Sequence, residues 1–375
     1  MKRSGRQRGA LHRLAILLHV FWKHGQYGSW FFWFLFGAPF HLFTRFCLWL
    51  DTVIFPELRQ IEVERPVFIM GHPRSGTTFF QKQIYQSGEV ASFSTWEIAF
   101  PSLIQRRLLM PLIKLLKRLG VDILQDKEQG HEIRLGGIEE DEALFLHYLD
   151  SEIITIFCPW LLIDGEYSDF GFQLGWVDRN GSKGSLKFYR ECLKRHIYHT
   201  RERQIVAKCN PSIFRLDRLL EVFPDARIVY VVRSPHKSIR SFLAFTERFV
   251  GKVLTEEEEM RFFRQKYKWS VRLYKYFEEV KTTIPPDQLL IVPFQEIASE
   301  VQVGLHRFFE FTEISPPERY WNRYQNDEEN GNHTKKHRNP PLEEFGVSVD
   351  EVWENLGFVW THYLNGDEAR EKSGA

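Results

Sequence analysis

Cysteine is scarce: Cys47, Cys158, Cys192 and Cys209 are the only four in a chain of 375 residues. No two of them stand at the short spacing of a zinc or iron–sulfur site. A chain of this length also builds a core large enough to fold without disulfide staples. The expected compartment is therefore a reducing one, the cytoplasm. Two glycosylation triplets, beginning at Asn180 and Asn332, would suit a secreted chain, but chance supplies roughly two in a sequence this long and they decide nothing. A charge excess is lacking as well. Fifty Lys and Arg oppose 49 Asp and Glu, leaving +1 at pH 7, too little for a protein whose main task is to coat nucleic acid. The sequence has no internal repeat and no low-complexity segment, and 43% hydrophobic with 26% charged residues describes a folded globular chain. No His, Cys, Asp and Glu cluster has metal-ligand spacing, so no metal is expected.

What is present begins with charge. Lys2, Arg3, Arg6, Arg8 and Arg13 fall in the first 13 residues with no acid among them. Two apolar stretches follow. The first, 11–21, is interrupted by His12, Arg13 and His19; the second, 30–50, is strongly aromatic and carries Pro39, His41 and Arg45. A membrane span needs about 20 mostly apolar residues, and an arginine at its centre costs on the order of 2.5–3.5 kcal/mol. A signal peptide fits poorly because no small-residue cleavage site follows a clean apolar core. Four readings stay open: aromatic helices packed over the domain or lying in a membrane interface, a true span, ordinary core, and a helical lid over an apolar acceptor site. Contact with a membrane surface is expected through 11–55.

Beyond this segment, short apolar runs alternate with amphipathic ones. Runs at 65–70, 204–208, 227–232 and 288–292 read as buried strands, and their separation by helical segments predicts a parallel sheet covered on both faces. Thr255 with Glu258 forms a capping box before a helix that should run to Val280, ahead of Pro285 and Pro286; Ser348 with Glu351 opens another that should reach Tyr363. The polar stretch 325–339 reads as a loop.

The most informative residues follow the first strand: Gly71, His72, Pro73, Arg74, Ser75, Gly76, Thr77 and Thr78, leading into a helix. A strand, a glycine turn that exposes backbone N–H groups and a helix N-terminus together make an anion cradle. The Gly71-to-Gly76 spacing matches the first half of a nucleotide-triphosphate loop, but Thr77 stands where that loop carries lysine, and the cation is Arg74, three residues earlier. The substitution speaks against ATP chemistry while keeping anion binding.

In these residues the sequence resembles the sulfotransferases that use 3′-phosphoadenosine 5′-phosphosulfate (PAPS). Their first signature, Pro-[Lys/Arg]-Ser-Gly-Thr-Thr, occupies 73–78; their second, a strand ending in arginine with a serine eight residues on, is met by Arg233 and Ser241. The block Lys208-Cys209-Asn210-Pro211-Ser212 resembles the segment that precedes the second signature. The likeness runs from about Val67 to Phe245, with weaker similarity at 300–311 and 345–352. It implies an α/β, P-loop-like three-layer fold with a central parallel sheet flanked by helices, plus the N-terminal aromatic helical segment. It also implies a division near residue 60: a basic tail with aromatic, membrane-associated helices at 1–60 and a sulfotransferase domain at 61–375. The co-substrate is expected to be PAPS, without a metal, and the acceptor a hydroxyl on a carbohydrate, lipid or other small molecule. An unusual P-loop kinase and a membrane-attached binding protein with a degenerate nucleotide site are the rival readings.

The resemblance assigns roles. The 5′-phosphosulfate is expected on the main chain of Ser75, Gly76, Thr77 and Thr78, with Arg74 against the bridging oxygen. Arg233 and Ser241 are expected to hold the 3′-phosphate, and Phe79 stands where cytosolic relatives stack a tryptophan on adenine. Lys208 adds positive charge at the transferring group. The acceptor hydroxyl needs a base. Where cytosolic relatives place a histidine, this chain has Asn210; the branch with arginine in its loop uses a glutamate, and Glu97, 23 residues beyond Arg74, is expected in that role. Ser94 with Glu97 is equally a capping box, and the cluster Glu139, Glu140, Asp141 and Glu142 and the loop's His72 are rival acids and bases. Lys335, Lys336 and Arg338 are expected either to close over the 3′-phosphate or to be a solvated charge run.

Overall fold

The computed structural model describes residues 9–119, 136–175, 184–201, 204–299, 301–322 and 339–364; Lys335, Lys336 and Arg338 lie outside them. Five strands make one parallel sheet: β1 (Val67–Gly71), β2 (Val90–Ala91), β3 (Gln204–Lys208), β4 (Arg227–Val232) and β5 (Leu289–Pro293), in the order β2-β3-β1-β4-β5. Val67 pairs with Val206 on one side and Arg227 on the other, and Ile69 with Lys208 and Val229. Every residue of β1 is buried. Period-two alternation divides the strands cleanly between two cores: Phe68, Met70, Ile228, Tyr230 and Val232 on one face, and Val67, Ile69, Val229 and Val231 on the other. A sheet apolar on both faces needs helices on both, which gives the three layers.

The expected strands appear within two residues of their predicted bounds, and β3 and β4 coincide with them. β2 went unread because two residues carry no periodic signal. The helices that matter here are α1 (Ala10–Lys23), α2 (Tyr27–Ile54), α3 (Thr77–Tyr85), α4 (Thr95–Ala99), α5 (Leu103–Arg118), α6 (Gly184–Thr200), α7 (Pro235–Val250), α8 (Glu256–Val280) and α9 (Val349–Tyr363). The capping boxes place two of them: Thr255 exchanges hydrogen bonds with Glu258 at the start of α8, and the Glu351 N–H donates to Ser348 Oγ at 3.1 Å at the start of α9.

The N-terminal helices pack onto the rest of the chain. α1 buries Ile16, Leu17, Val20 and Phe21 against Leu149, Ile154, Trp160 and Leu161, and Arg13 pairs with Asp150 at 3.0 Å. α2 is continuous through Pro39. A π-helical turn at Trp33–Gly37 precedes the proline, which lies in the first turn of the α-helical portion, where a missing N–H is tolerated. By length and composition α2 is apolar enough to cross a membrane, and only 11% of its most apolar window is buried. Its polar positions face the domain. Arg45 lies over the Tyr148 ring at 4.4 Å, and the fully buried Asp51 accepts from Ser102 Oγ, the Leu103 and Ile104 N–H groups and Arg195 Nε at 2.9–3.0 Å. One carboxylate thus caps α5 and pins α2 to α6.

Because β1 sits between β3 and β4, the chain leaves it at a topological switch point, where open α/β sheets hold their ligands outside the strands' carboxyl ends. Gly71, Lys208 and Arg233 all emerge at that edge.

Candidate active site

The cradle is built from close approach. A Cβ on Gly71 would sit 2.4 Å from the Val231 carbonyl oxygen, and one on Gly76 would sit 2.4 Å from the Phe294 ring. Arg74 and Gly76 adopt left-handed φ values of 69° and 91°. For glycine that conformation is unstrained; for Arg74 it is a stored cost held in place by the loop's anchors. The chief anchor is His72, which is fully buried. Its ring contacts Ser270 Oγ at 2.8 Å and the Pro73 carbonyl at 2.7 Å and stacks on Tyr274 at 5.2 Å. Burial, only partly offset by the Pro73 carbonyl, drives its pKa down to about 3. His72 is therefore a neutral strut inside the core, aimed away from solvent. Thr77, Thr78 and Phe79 precede the first α3 backbone bond, Phe80 N–H to the Gly76 carbonyl at 3.1 Å, so their N–H groups face the loop's concavity at the positive end of the helix.

Cations surround this turn. Arg74 Nε donates to Ser241 Oγ at 3.1 Å, and Arg233 donates to the Arg74 carbonyl at 3.0 Å, so β4 and α7 bring the second-signature residues onto the first. Arg233 also lies over the Phe294 ring at 4.5 Å. Burial, then the positive charges of Arg248 and Arg233, lower the Arg74 pKa from its ordinary value. Three guanidinium groups converging on a buried turn describe a site that a polyanion relieves. From β3, Lys208, 2% exposed, donates to Thr78 Oγ1 at 2.7 Å and reaches Glu140 at 3.4 Å. Asn210 donates from its side chain to Thr77 Oγ1 at 3.2 Å and from its backbone to Glu140 Oε1 at 2.9 Å. Phe79, on the outer side of α3, is 41% exposed.

The two expected carboxylates sit on neighbouring segments: Ser94 bridges Ile138, and the Glu139 N–H donates to the Phe93 carbonyl at 3.0 Å. Glu97 completes the Ser94 capping box at the start of α4 and lies 3.6 Å from Arg106, 3.9 Å from His196 and 3.8 Å from His199. Burial would raise its pKa, but Arg106, His196 and the Ser94 hydrogen bonds outweigh burial and leave it below the ordinary value. Its partners Ser94, Arg106, His196 and His199 all lie outside the 71–78 turn. Glu140 is the acid that Lys208 and Asn210 hold at the loop.

Two further acids of the run lie inside the fold. Asp141 and Glu142 are fully buried, accepting from Tyr189 at 2.9 Å and from Ser212 at 2.6 Å, with Arg215 3.0 Å from Glu142. The apolar segment that follows them, Leu144 and Phe145, draws them inside. Burial, against the Tyr189 hydrogen bond, pushes Asp141 up to about 8; burial, against Arg215 and Ser212, pushes Glu142 up to about 7. Both folded-state values lie above the unfolded ones, so their contribution to stability is complete below about pH 4 and is lost as pH rises through 7 to 8. The melting temperature should fall as pH rises from about 4 to about 8 and level off above that. Asp141→Asn, neutral throughout and still able to accept from Tyr189, should show a shallower fall. Equal slopes for the two proteins would contradict this.

Sequence reasoning missed the part Asn210 plays. Its place just after Lys208 at the end of a strand lets it bridge Thr77 and Glu140. Arg248 was also missed; its one signal is its position two turns beyond Ser241 on α7.

An open parallel sheet whose first strand ends in a glycine turn ringed by arginines defines an α/β protein with a phosphate-loop-like turn. The chain belongs to the sulfotransferase family, whose model matches residues 66–318. Among solved structures it is similar to sulfotransferase STF1 from Mycobacterium tuberculosis H37Rv, with a TM-score of 0.70 at 16% identity over 93% of this chain and 92% of that one. It is also similar to sulfotransferase STF9 from Mycobacterium avium, with a TM-score of 0.67 at 17% identity over 85% and 80%. These likenesses are of fold. Among curated proteins it is 24% identical over 197 residues to the omega-hydroxy-beta-dihydromenaquinone-9 sulfotransferases Stf3 of Mycobacterium bovis and Mycobacterium tuberculosis, matching 50% of this chain. The chain spans about half the length of these curated relatives.

Proposed function

We propose that this protein transfers a sulfuryl group from PAPS to a hydroxyl of an amphiphilic small molecule. PAPS supplies an activated sulfuryl group on a 5′-phosphate leaving group. The observation that carries the reading is the meeting of Arg74, Arg233 and Ser241 around a turn that also presents the N–H groups of Thr77 and Thr78. The donor set suits a ligand with two separate anionic groups. The main-chain amides and Thr hydroxyls serve the 5′ end, and the Arg233 fork with Ser241 serves the 3′-phosphate. Arg74 stabilises charge that develops on the bridging oxygen as the S–O bond breaks, and Lys208, already on Thr78, lies where it meets the transferring group. In the net reaction the acceptor oxygen gains sulfur, the 5′-phosphate leaves, and the hydroxyl proton passes to a carboxylate.

We assign that carboxylate to Glu140. It stands beside Lys208 and Asn210, whereas Glu97, the residue implied by family resemblance, is engaged by Ser94 and Arg106 and is a weaker base for its lowered pKa. Phe79 is exposed on the same helix and is available to an adenine ring. An amphiphilic acceptor is supported by the names of the curated relatives, which give an omega-hydroxy dihydromenaquinone as theirs, and by the aromatic surface of α2.

The test is ligand-induced stabilisation. 3′-Phosphoadenosine 5′-phosphate at 100 times its dissociation constant should raise unfolding free energy by about 2.7 kcal/mol, and ATP with magnesium should leave the melting temperature unchanged. Stabilisation by the ATP complex alone would transfer the reading to a kinase; stabilisation by neither would favour a degenerate site.

A further inference from the structure

α5 exposes the residues a core helix would hide. Leu108, Leu112, Leu115 and Leu119 recur along it at spacings of four, three and four, one stripe on a helix of 3.6 residues per turn, and the first and last are 68% and 65% exposed. The buried positions Leu103, Arg106 and Ile113 fall on the opposite side. Arg107, Lys114 and Arg118, all exposed, form a parallel row along one flank of the stripe. A leucine face edged by a row of cations is the pattern of a helix lying in a lipid headgroup layer.

α2 extends the same surface. Phe43, Phe46, Trp49 and Val53 are exposed, whereas Thr44, Cys47 and Asp51 face inward. Both helices are pinned to α6 by adjacent residues of that helix, α2 through Asp51 on Arg195 and α5 through Arg106 near His196 at 3.4 Å. Each therefore turns its opposite, apolar side away from α6, and the two helices touch each other, Gln105 Nε2 donating to Thr44 Oγ1 at 3.0 Å. Between α5 and α6 a cavity of about 540 Å³ is lined by Arg106, Arg107, Lys114 and His199 together with Leu103 and Tyr198. Apolar faces and cations thus alternate across one surface of a chain whose net charge is only +1.

We propose that α2 and α5 together form an in-plane docking face for an anionic phospholipid bilayer, with leucine and aromatic side chains among the acyl ends of the headgroup region and Arg107, Lys114 and Arg118 on lipid phosphates. The helices lie flat. α2 is held at its start by Trp30 and Trp33 against the cluster containing Trp160 and Leu161, and near its end by Asp51, so it is fastened along its length to the domain and does not stand upright in a bilayer. This face extends the membrane contact expected of the N-terminal segment to a helix beyond residue 100, and it is independent of which group the enzyme transfers.

The test is flotation of the full chain with vesicles of phosphatidylcholine alone or with about one third phosphatidylglycerol. The wild type should float with the anionic vesicles and much less with the neutral ones. Leu108→Asp with Leu115→Asp should weaken flotation on the order of tenfold or more. Lys114→Glu with Arg118→Glu should abolish the preference for anionic vesicles. All four positions are exposed, so both variants should keep the wild-type melting temperature and the wild-type response to 3′-phosphoadenosine 5′-phosphate. Bound protein should be released by an alkaline carbonate wash. Retention after that wash would mean a spanning helix and would overturn the in-plane assignment. Wild-type flotation by the leucine variant, or no flotation by the wild type, would overturn the docking face.

Discussion

Arg74→Ala should lower sulfuryl transfer by roughly 10²–10³-fold, the usual loss when one preorganised charge donor is removed from a transition state. The size follows from the site's construction. Arg74 is held in a left-handed conformation, its Nε fixed on Ser241 and its carbonyl on Arg233, so the guanidinium is aimed before any ligand arrives. A group positioned in advance pays no reorganisation in the reaction itself. The alanine variant also removes one of three mutually repelling cations, and the folded apo-protein should be no less stable than wild type. Rate and stability should therefore move apart. Arg74→Lys, which keeps the charge and loses the planar fork, should recover part of the rate. A melting temperature that collapses along with the rate would make Arg74 a structural residue.

Glu140→Gln should cost about 10²–10⁴-fold in turnover, the range for losing a general base, while affinity for 3′-phosphoadenosine 5′-phosphate stays nearly constant. Glutamine still accepts from the Asn210 N–H, so the variant changes charge and basicity more than geometry. Glu97→Gln is the paired control. It weakens a capping box and the contacts with Arg106 and His196, with an expected loss of about 1 kcal/mol in stability and a change in turnover of only a few-fold. The opposite pattern, a silent Glu140→Gln and a crippled Glu97→Gln, would return the base to the residue that family resemblance suggests.

These paired expectations mark where the sequence was readable. The loop was legible because its glycines answer a local demand, close approach to Val231 and Phe294, that leaves a fixed pattern in the chain. Arg233 and Ser241 were legible because a strand end and the next helix keep their spacing, and here they meet Arg74. The strands announced themselves by unbroken apolar runs, since a parallel sheet is dry on both faces. Glu97 carried two local meanings at once, and its capping box with Ser94 is the one visible in the structure. Glu140 could not be singled out from its neighbours. Its nearness to Lys208 depends on how the 138–142 segment crosses the strand ends, a long-range event that no window of sequence records. The leucines of α5 were equally silent, because periodicity reports a stripe but not whether the stripe faces the core or the solvent.

The central claim is that the arginine-ringed turn holds a sulfated nucleotide and passes its sulfuryl group to an alcohol. The most direct measurement incubates the protein with PAPS carrying sulfur-35 and a panel of lipid alcohols and follows the label into organic-soluble product, with ATP labelled in its γ-phosphate run in parallel. The account predicts sulfur label in product, none with Arg74→Ala, and no phosphate label. Phosphate label in product without sulfur label would contradict it.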